Sequence, residues 1–123
     1  MYHRKGYRKL GKTFDHRRAM LRNMATSFFE NGRIKTTLCR AKELQSVVEK
    51  MITVAKQDTL ASRRRVGEYL FKDEVAKTLV KEISPRFKDR NGGCTRIVKL
   101  GERKGDGAFM CHLELVDYNS TKS

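Results

Sequence analysis

Apolar positions recur along this chain with two different periods. Met20, Leu21, Met24, Ala25 and Phe28 return at three- and four-residue steps, which places them along one face of a helix. That helix starts near Thr13 or Asp15, either of which can cap it, and Asn31-Gly32 stops it. Arg18 and Arg22 stand one turn apart on its other side, with Arg17 adjoining. A short extended piece, Arg33-Ile34-Lys35-Thr36, leads to Thr37 as the cap of a second helix. This one runs to about Lys56 on the stripe Ala41, Leu44, Val48, Met51, Ile52 and Ala55. A third helix follows Asp58-Thr59 and passes through Arg63-Arg64-Arg65 to about Leu70. Asp73 caps a fourth, which turns Val75, Leu79, Val80 and Ile83 inward and closes at Pro85.

Beyond Pro85 the period changes from helical to alternating. Thr95 to Leu100 reads as one strand and Ala108 to Val116 as its hairpin partner. In the second strand Phe109, Cys111, Leu113 and Leu115 share one face, and Met110, His112 and Glu114 the other. Gly101, Gly105 and Gly107 punctuate the connecting loop, with Arg103 and Lys104 at its tip. The class is α+β, with several helices packed on a small sheet. Residues 1–12 offer few apolar groups beyond Tyr2, Tyr7 and Leu10, so alone in water they form a disordered arm. The predicted organisation is an arm over 1–12, one globular domain over 13–118 and a frayed tail over 119–123.

Charge changes this picture most. The 123 residues carry 28 Lys plus Arg against 14 Asp plus Glu, a net of +14. The excess is uneven. Residues 1–18 hold Arg4, Lys5, Arg8, Lys9, Lys12, Arg17 and Arg18 against Asp15 alone, and residues 86–105 hold seven basic groups against Asp89 and Glu102. Self-repulsion of that size calls for a polyanionic partner, nucleic acid first and an acidic membrane surface second. No apolar run approaches the roughly 20 residues that span a bilayer. The basic N-terminus has no apolar stretch behind it, so it is not read as a secretory signal, nor is it Ser-rich like a transit peptide.

Candidate chemistry is sparse. Cys39, Cys94 and Cys111 are widely spaced and form no C-x-x-C pair, so they read as reduced thiols, with Cys111 in the core, in preference to a zinc site. Only His3, His16 and His112 could serve as bases, and no nucleophile sits in a recognisable signature. Glu43 and Glu49, with Lys neighbours on the second helix, read as solvated pairs. Gly92-Gly93 precedes a strand and so is not a phosphate-cradling loop. No catalytic residue, cofactor or metal is therefore expected. The positive signal is the basic cluster itself. Arginine's planar fork fits phosphate oxygens, and Tyr2 or Tyr7 could stack on unpaired bases. The Arg63–Arg65 triple points in three directions roughly 100° apart, so only part of it can share one contact face. A DNA-binding or nucleoid-type module and an RNA-modifying enzyme are the competing readings. The first lacks a helix-turn-helix spacing, and the second lacks a base or nucleophile constellation.

The residues themselves carry a resemblance. His3-Arg4-Lys5, Arg8-x-Leu10 and His16-Arg17-Arg18-Ala19-Met20-Leu21-Arg22-Asn23-Met24 are followed by Ile34-Lys35-Thr36-Thr37-Leu38 and Ala41-Lys42-Glu43-Leu44. Then come Ser62-Arg63-Arg64, Pro85-Arg86-Phe87, Gly92-Gly93-x-Thr95-Arg96-Ile97, Gly105-Asp106 and Glu114-Leu115-Val116. This ordered set resembles the bacterial ribosomal protein family L seventeen over essentially the whole chain. Tyr2, Cys39 and Cys94 depart from the family pattern, which has Arg, Pro and an aromatic residue there. The resemblance implies a non-catalytic constituent of the large ribosomal subunit, cytoplasmic and within the ribosome, bound to large-subunit RNA and neighbouring ribosomal proteins. It implies a small three-stranded mixed sheet whose third strand is the piece around Ile34. It also implies RNA contact by His3, Arg4, Lys5, Arg8, Lys9, Lys12, His16, Arg17, Arg18 and Arg22, with a second basic surface at Arg96, Arg103 and Lys104.

Overall fold

The computed structural model describes residues 14–118, so the expected arm over 1–12 and tail over 119–123 lie outside the described residues. Helix α1 spans Phe14–Asn31 and ends where Gly32, at φ 79°, reverses the chain. The ring of Tyr118 lies against Gly32, where an added Cβ would come within 3.2 Å of it. Strand β1 (Arg33–Thr37) leads into α2 (Leu38–Lys56), and the extended backbone of Thr37 caps that helix without a side-chain hydrogen bond. Helix α3 (Leu60–Tyr69) is fastened at its start by a reciprocal capping box. The Thr59 hydroxyl accepts from Ser62 N, and Ser62 Oγ accepts from Thr59 N.

The fourth helix departs in detail from expectation. Lys72, not Asp73, is its cap, and Asp73 and Glu74 lie in the first turn of α4 (Asp73–Thr78), where they face the positive end of the helix dipole. Pro85 does not close it. The helix widens into a π-helical stretch over Leu79–Ile83 and ends in one further turn, Ser84–Arg86. Proline has no N–H to donate back along a helix and its ring needs room beside the preceding turn, which the wider turn supplies. Ser84 Oγ donates to Val80 O across the same stretch at 3.0 Å.

Strands β2 (Thr95–Glu102) and β3 (Phe109–Leu115) form the hairpin. The sheet order is β1-β3-β2 with both pairings antiparallel, so the sheet is not mixed. Strand β3 lies between two strands that both run against it, and Leu113 sits opposite Ile34 on one side and Ile97 on the other. Cys111, Leu113 and Leu115 turn to the helices and are buried, as the alternation predicts, while Phe109 is 39% exposed. The helical cover has run out at that end of the hairpin, where Lys99 and Leu100 are exposed as well. A bulge between Lys99 and Gly101 keeps Gly101 within the strand, at φ 114°, where the sequence suggested a loop.

Helix α2 packs on α1, α3 and all three strands, which makes it the spine of the core. Leu44, Val48 and Ile52 from α2 meet Val66 from α3, Leu79 and the edge-to-face pair Phe28–Phe29, whose rings are 5.2 Å apart. Removing one such fully buried side chain would cost about 2–5 kcal/mol.

Candidate nucleic-acid interface

Helix α1 sorts its basic residues by angle. Leu21, Ala25 and Phe28 form its buried stripe, and Arg17 lies one turn before Leu21 on the same line. Arg17 is accordingly 5% exposed, and its Nη1 donates to Glu43 Oε2 on α2 at 3.1 Å. Expected at the RNA, Arg17 sits instead at the α1–α2 seam, and Glu43 is a half-buried partner, not a solvated one. Removing one partner of such a buried pair costs about 3–5 kcal/mol.

Arg22 is also committed within the fold. Its Nε donates to Tyr69 O at 2.8 Å and its Nη2 to Glu68 O at 2.7 Å, so it satisfies carbonyls at the C-terminal end of α3. The guanidinium lies 4.3 Å over the Phe71 ring and 5.6 Å from that of Tyr69. One turn on, Thr26 Oγ1 accepts from Phe71 N. Arg18 and His16 are exposed on the head of α1, and Arg18 lies 5.5 Å from the Phe14 ring. No acid pairs with Arg18 among the described residues.

The Arg63–Arg65 triple separates in the same way. Arg63 reaches back to Asp58, at 3.1 and 2.7 Å, where the backbone of Asp58 has turned left-handed at φ 50°. Arg64 is exposed. Arg65 joins Arg18, Arg22 and Tyr69 around a cleft of about 330 Å³ floored by Met51, Val54 and Val66, with Glu68 as the one acid lining it among the described residues. Burial pushes the Tyr69 phenol up, and the nearby charges of Arg22, Arg18 and Arg17 draw it partly back.

The second basic surface lies on the sheet face turned away from the helices. Glu114 lies on that face, as the alternation predicts, and is only 5% exposed. It lies in register between Arg33 on β1 and Arg96 on β2. Arg96 Nε and Nη2 both reach Glu114 Oε2 at 2.7 Å, and Arg33 Nη1 stands 3.9 Å from Oε1. One carboxylate thus orients two guanidiniums. Arg33 also stacks on Tyr118, 4.8 Å from its ring. At the tip, Arg103 pairs with Asp106 and Lys104 is exposed. That hydrogen bond, with the Ala108 N–H behind it, holds the Asp106 carboxyl down to about 2. Glu49 is no solvated pair either. It accepts from Gly93 N at 3.1 Å and Thr95 Oγ1 at 2.7 Å and fixes the entry to β2. Arg33 escaped the sequence reading, because strand register places it; the Arg63–Arg65 triple was singled out there, and helix packing decides that Arg65 is the member that lines the cleft. His3, Arg4, Lys5, Arg8, Lys9 and Lys12 lie outside the described residues.

Burial pushes the Cys94 and Cys111 thiols up, and Cys39 is exposed on α2. Among the described residues no helix is long and apolar enough to cross a membrane.

A family model described as "Ribosomal protein L17" matches residues 20–116. The chain is 60% identical to "Large ribosomal subunit protein bL17" of Desulforudis audaxviator over 111 residues, 90% of this chain and 99% of that one. It is 55% identical to the protein of the same name from Finegoldia magna over 116 residues, 94% of this chain and 88% of that one. Its counterpart in Clostridium acetobutylicum is 54% identical over 111 residues, covering 90% and 97%. The chain belongs to the ribosomal protein L17 family.

Proposed function

We propose that this chain is a structural, non-catalytic constituent of the large ribosomal subunit in the cytoplasm, bound to the large-subunit RNA and to neighbouring ribosomal proteins. The observation that carries the placement is the match to relatives named for that subunit over nine-tenths of the chain. The charge distribution supports RNA as the partner. The arm residues His3, Arg4, Lys5, Arg8, Lys9 and Lys12 lead into the exposed His16 and Arg18 on a rigid helix, while Arg17 and Arg22 lock that helix to the body. Arg96, Arg103 and Lys104 supply a second contact surface, with Arg96 aimed by Glu114.

The mechanism is neutralisation of phosphates. Each guanidinium or ammonium that replaces a condensed counterion releases it to solution, and the binding becomes steeply salt-dependent. An acid-anchored arginine such as Arg96 contributes less net charge but is already oriented, so little entropy is lost when it meets a phosphate. Sedimentation of a tagged chain in low-magnesium gradients tests the placement. The chain is expected to co-migrate with large subunits, and a chain that stays at the top of the gradient overturns the reading. Equal affinity for duplex DNA and for large-subunit RNA would favour the nucleoid-type module instead.

A further inference from the structure

We propose that the cleft between α1 and α3 is an RNA phosphate site in which Arg18 and Arg65 close on one phosphodiester from opposite walls. The inference rests on the reading of the chain as an RNA binder and names a site within it.

The charges around the cleft are not equivalent. Arg22 commits two donors to the carbonyls of Glu68 and Tyr69 and lies over the Phe71 ring, so it serves as part of the wall. Arg18 and Arg65 line the same cleft and are exposed, and neither has a carboxylate within ion-pair distance among the described residues. With Glu68 the one acid among the described lining residues, the three arginines leave that lining at +2. A phosphodiester, singly charged and with two free oxygens, matches two guanidinium forks that come from different helices. The apolar floor of Met51, Val54 and Val66 offers no hydrogen bond to compete for them. The cleft also adjoins the arm's point of attachment, since Phe14 opens α1 and Arg18 follows one turn later. A strand held by the arm therefore reaches the cleft without leaving the surface of α1.

The arginine triple provides its own control. Arg64 and Arg65 are neighbours with the same charge on the same helix, but only Arg65 lines the cleft. Affinity for isolated large-subunit RNA is measured by filter binding at fixed salt, with folding checked by circular dichroism. Arg65→Gln is expected to weaken binding about tenfold, the worth of one charge-assisted contact, and Arg64→Gln less than twofold. Arg18→Gln should match Arg65→Gln, and the double variant should lose less than the product of the two, because both lose the same phosphate. Modification of the unaltered protein by phenylglyoxal gives an independent reading. Naked RNA should protect Arg65 and leave Arg64 reactive. Equal losses from Arg64→Gln and Arg65→Gln, or protection of Arg65 only in the assembled subunit, would overturn the site; the second result would assign the cleft to a protein neighbour. Both results leave the wider reading standing. If the unaltered chain shows no salt-sensitive affinity for the RNA, the proposed function itself falls.

Discussion

Arg18 and Arg22 differ by one helical turn and look interchangeable on a helical wheel, yet the fold uses them differently. Arg22 holds two carbonyls of α3 and a ring of the following loop, whereas Arg18 lies beside the Phe14 ring and pairs with no acid among the described residues. Lysine keeps the charge but cannot reproduce the two-pronged contact. Arg22→Lys is therefore expected to lower unfolding free energy by about 1–2 kcal/mol and Arg18→Lys by less than about 0.5 kcal/mol, read by urea denaturation. His112 provides a pH-dependent case. Its ring is half-buried on the outer sheet face between Lys35 and Val98, and burial first, then Arg33 and Lys35, push its pKa below the ordinary 6.5, with Glu114 opposing. The fold thus favours the neutral ring, and the unfolded chain takes up the proton more readily. The stability tied to His112 is intact above about 6.5 and is lost as pH falls through the lower folded value. Stability measured from pH 7 downward should accordingly fall less in His112→Gln than in the unaltered chain, and parallel curves would exclude the ring as the cause.

Among the elements, Gly101 shows what one position does for a whole hairpin. Its φ of 114° lies where side chains are strained, and the bulge at Lys99/Gly101 depends on it. Gly101→Ala should cost about 1–3 kcal/mol in a thermal or urea melt, even though open space surrounds the missing Cβ. Most elements were legible beforehand because their apolar period is unambiguous. The four helices, the hairpin and the inward face of β3 follow from spacing alone. The features that were missed depend on contacts between elements. Arg17 lies on the same helical line as Leu21, Ala25 and Phe28, so its burial was visible in the spacing, but its charge was taken to decide its side. Glu43, Glu49 and Glu114 each look like surface acids until a partner from a distant segment covers them. The π-helical stretch before Pro85 and the bulge in β2 leave no periodic trace, since each is a local adjustment of an element whose overall pattern continues. The antiparallel sense of the sheet depends on how β1 is brought to β3, which a five-residue strand cannot announce.

At the scale of the whole molecule, charge governs the expected behaviour. If the arm and the head of α1 meet roughly 6–8 phosphates, affinity for large-subunit RNA should fall by about three orders of magnitude or more between 50 and 200 mM salt. Deleting residues 1–12 should flatten that slope and leave the melting of the body unchanged, and an unchanged slope would remove the arm from the interface. The sheet has a different consequence, for encounters between copies of the chain. Its order leaves β2 as an outer strand with its backbone groups open on one side, an eight-residue template for cross-pairing between copies. Arg96, Lys99 and Glu102 space charges along that strand, and the bulge breaks its regular register before the exposed tip. Two copies brought edge to edge would have to accommodate these charged side chains across a ladder interrupted by the bulge. The irregularity in β2 therefore makes that edge a poor template for regular cross-strand pairing.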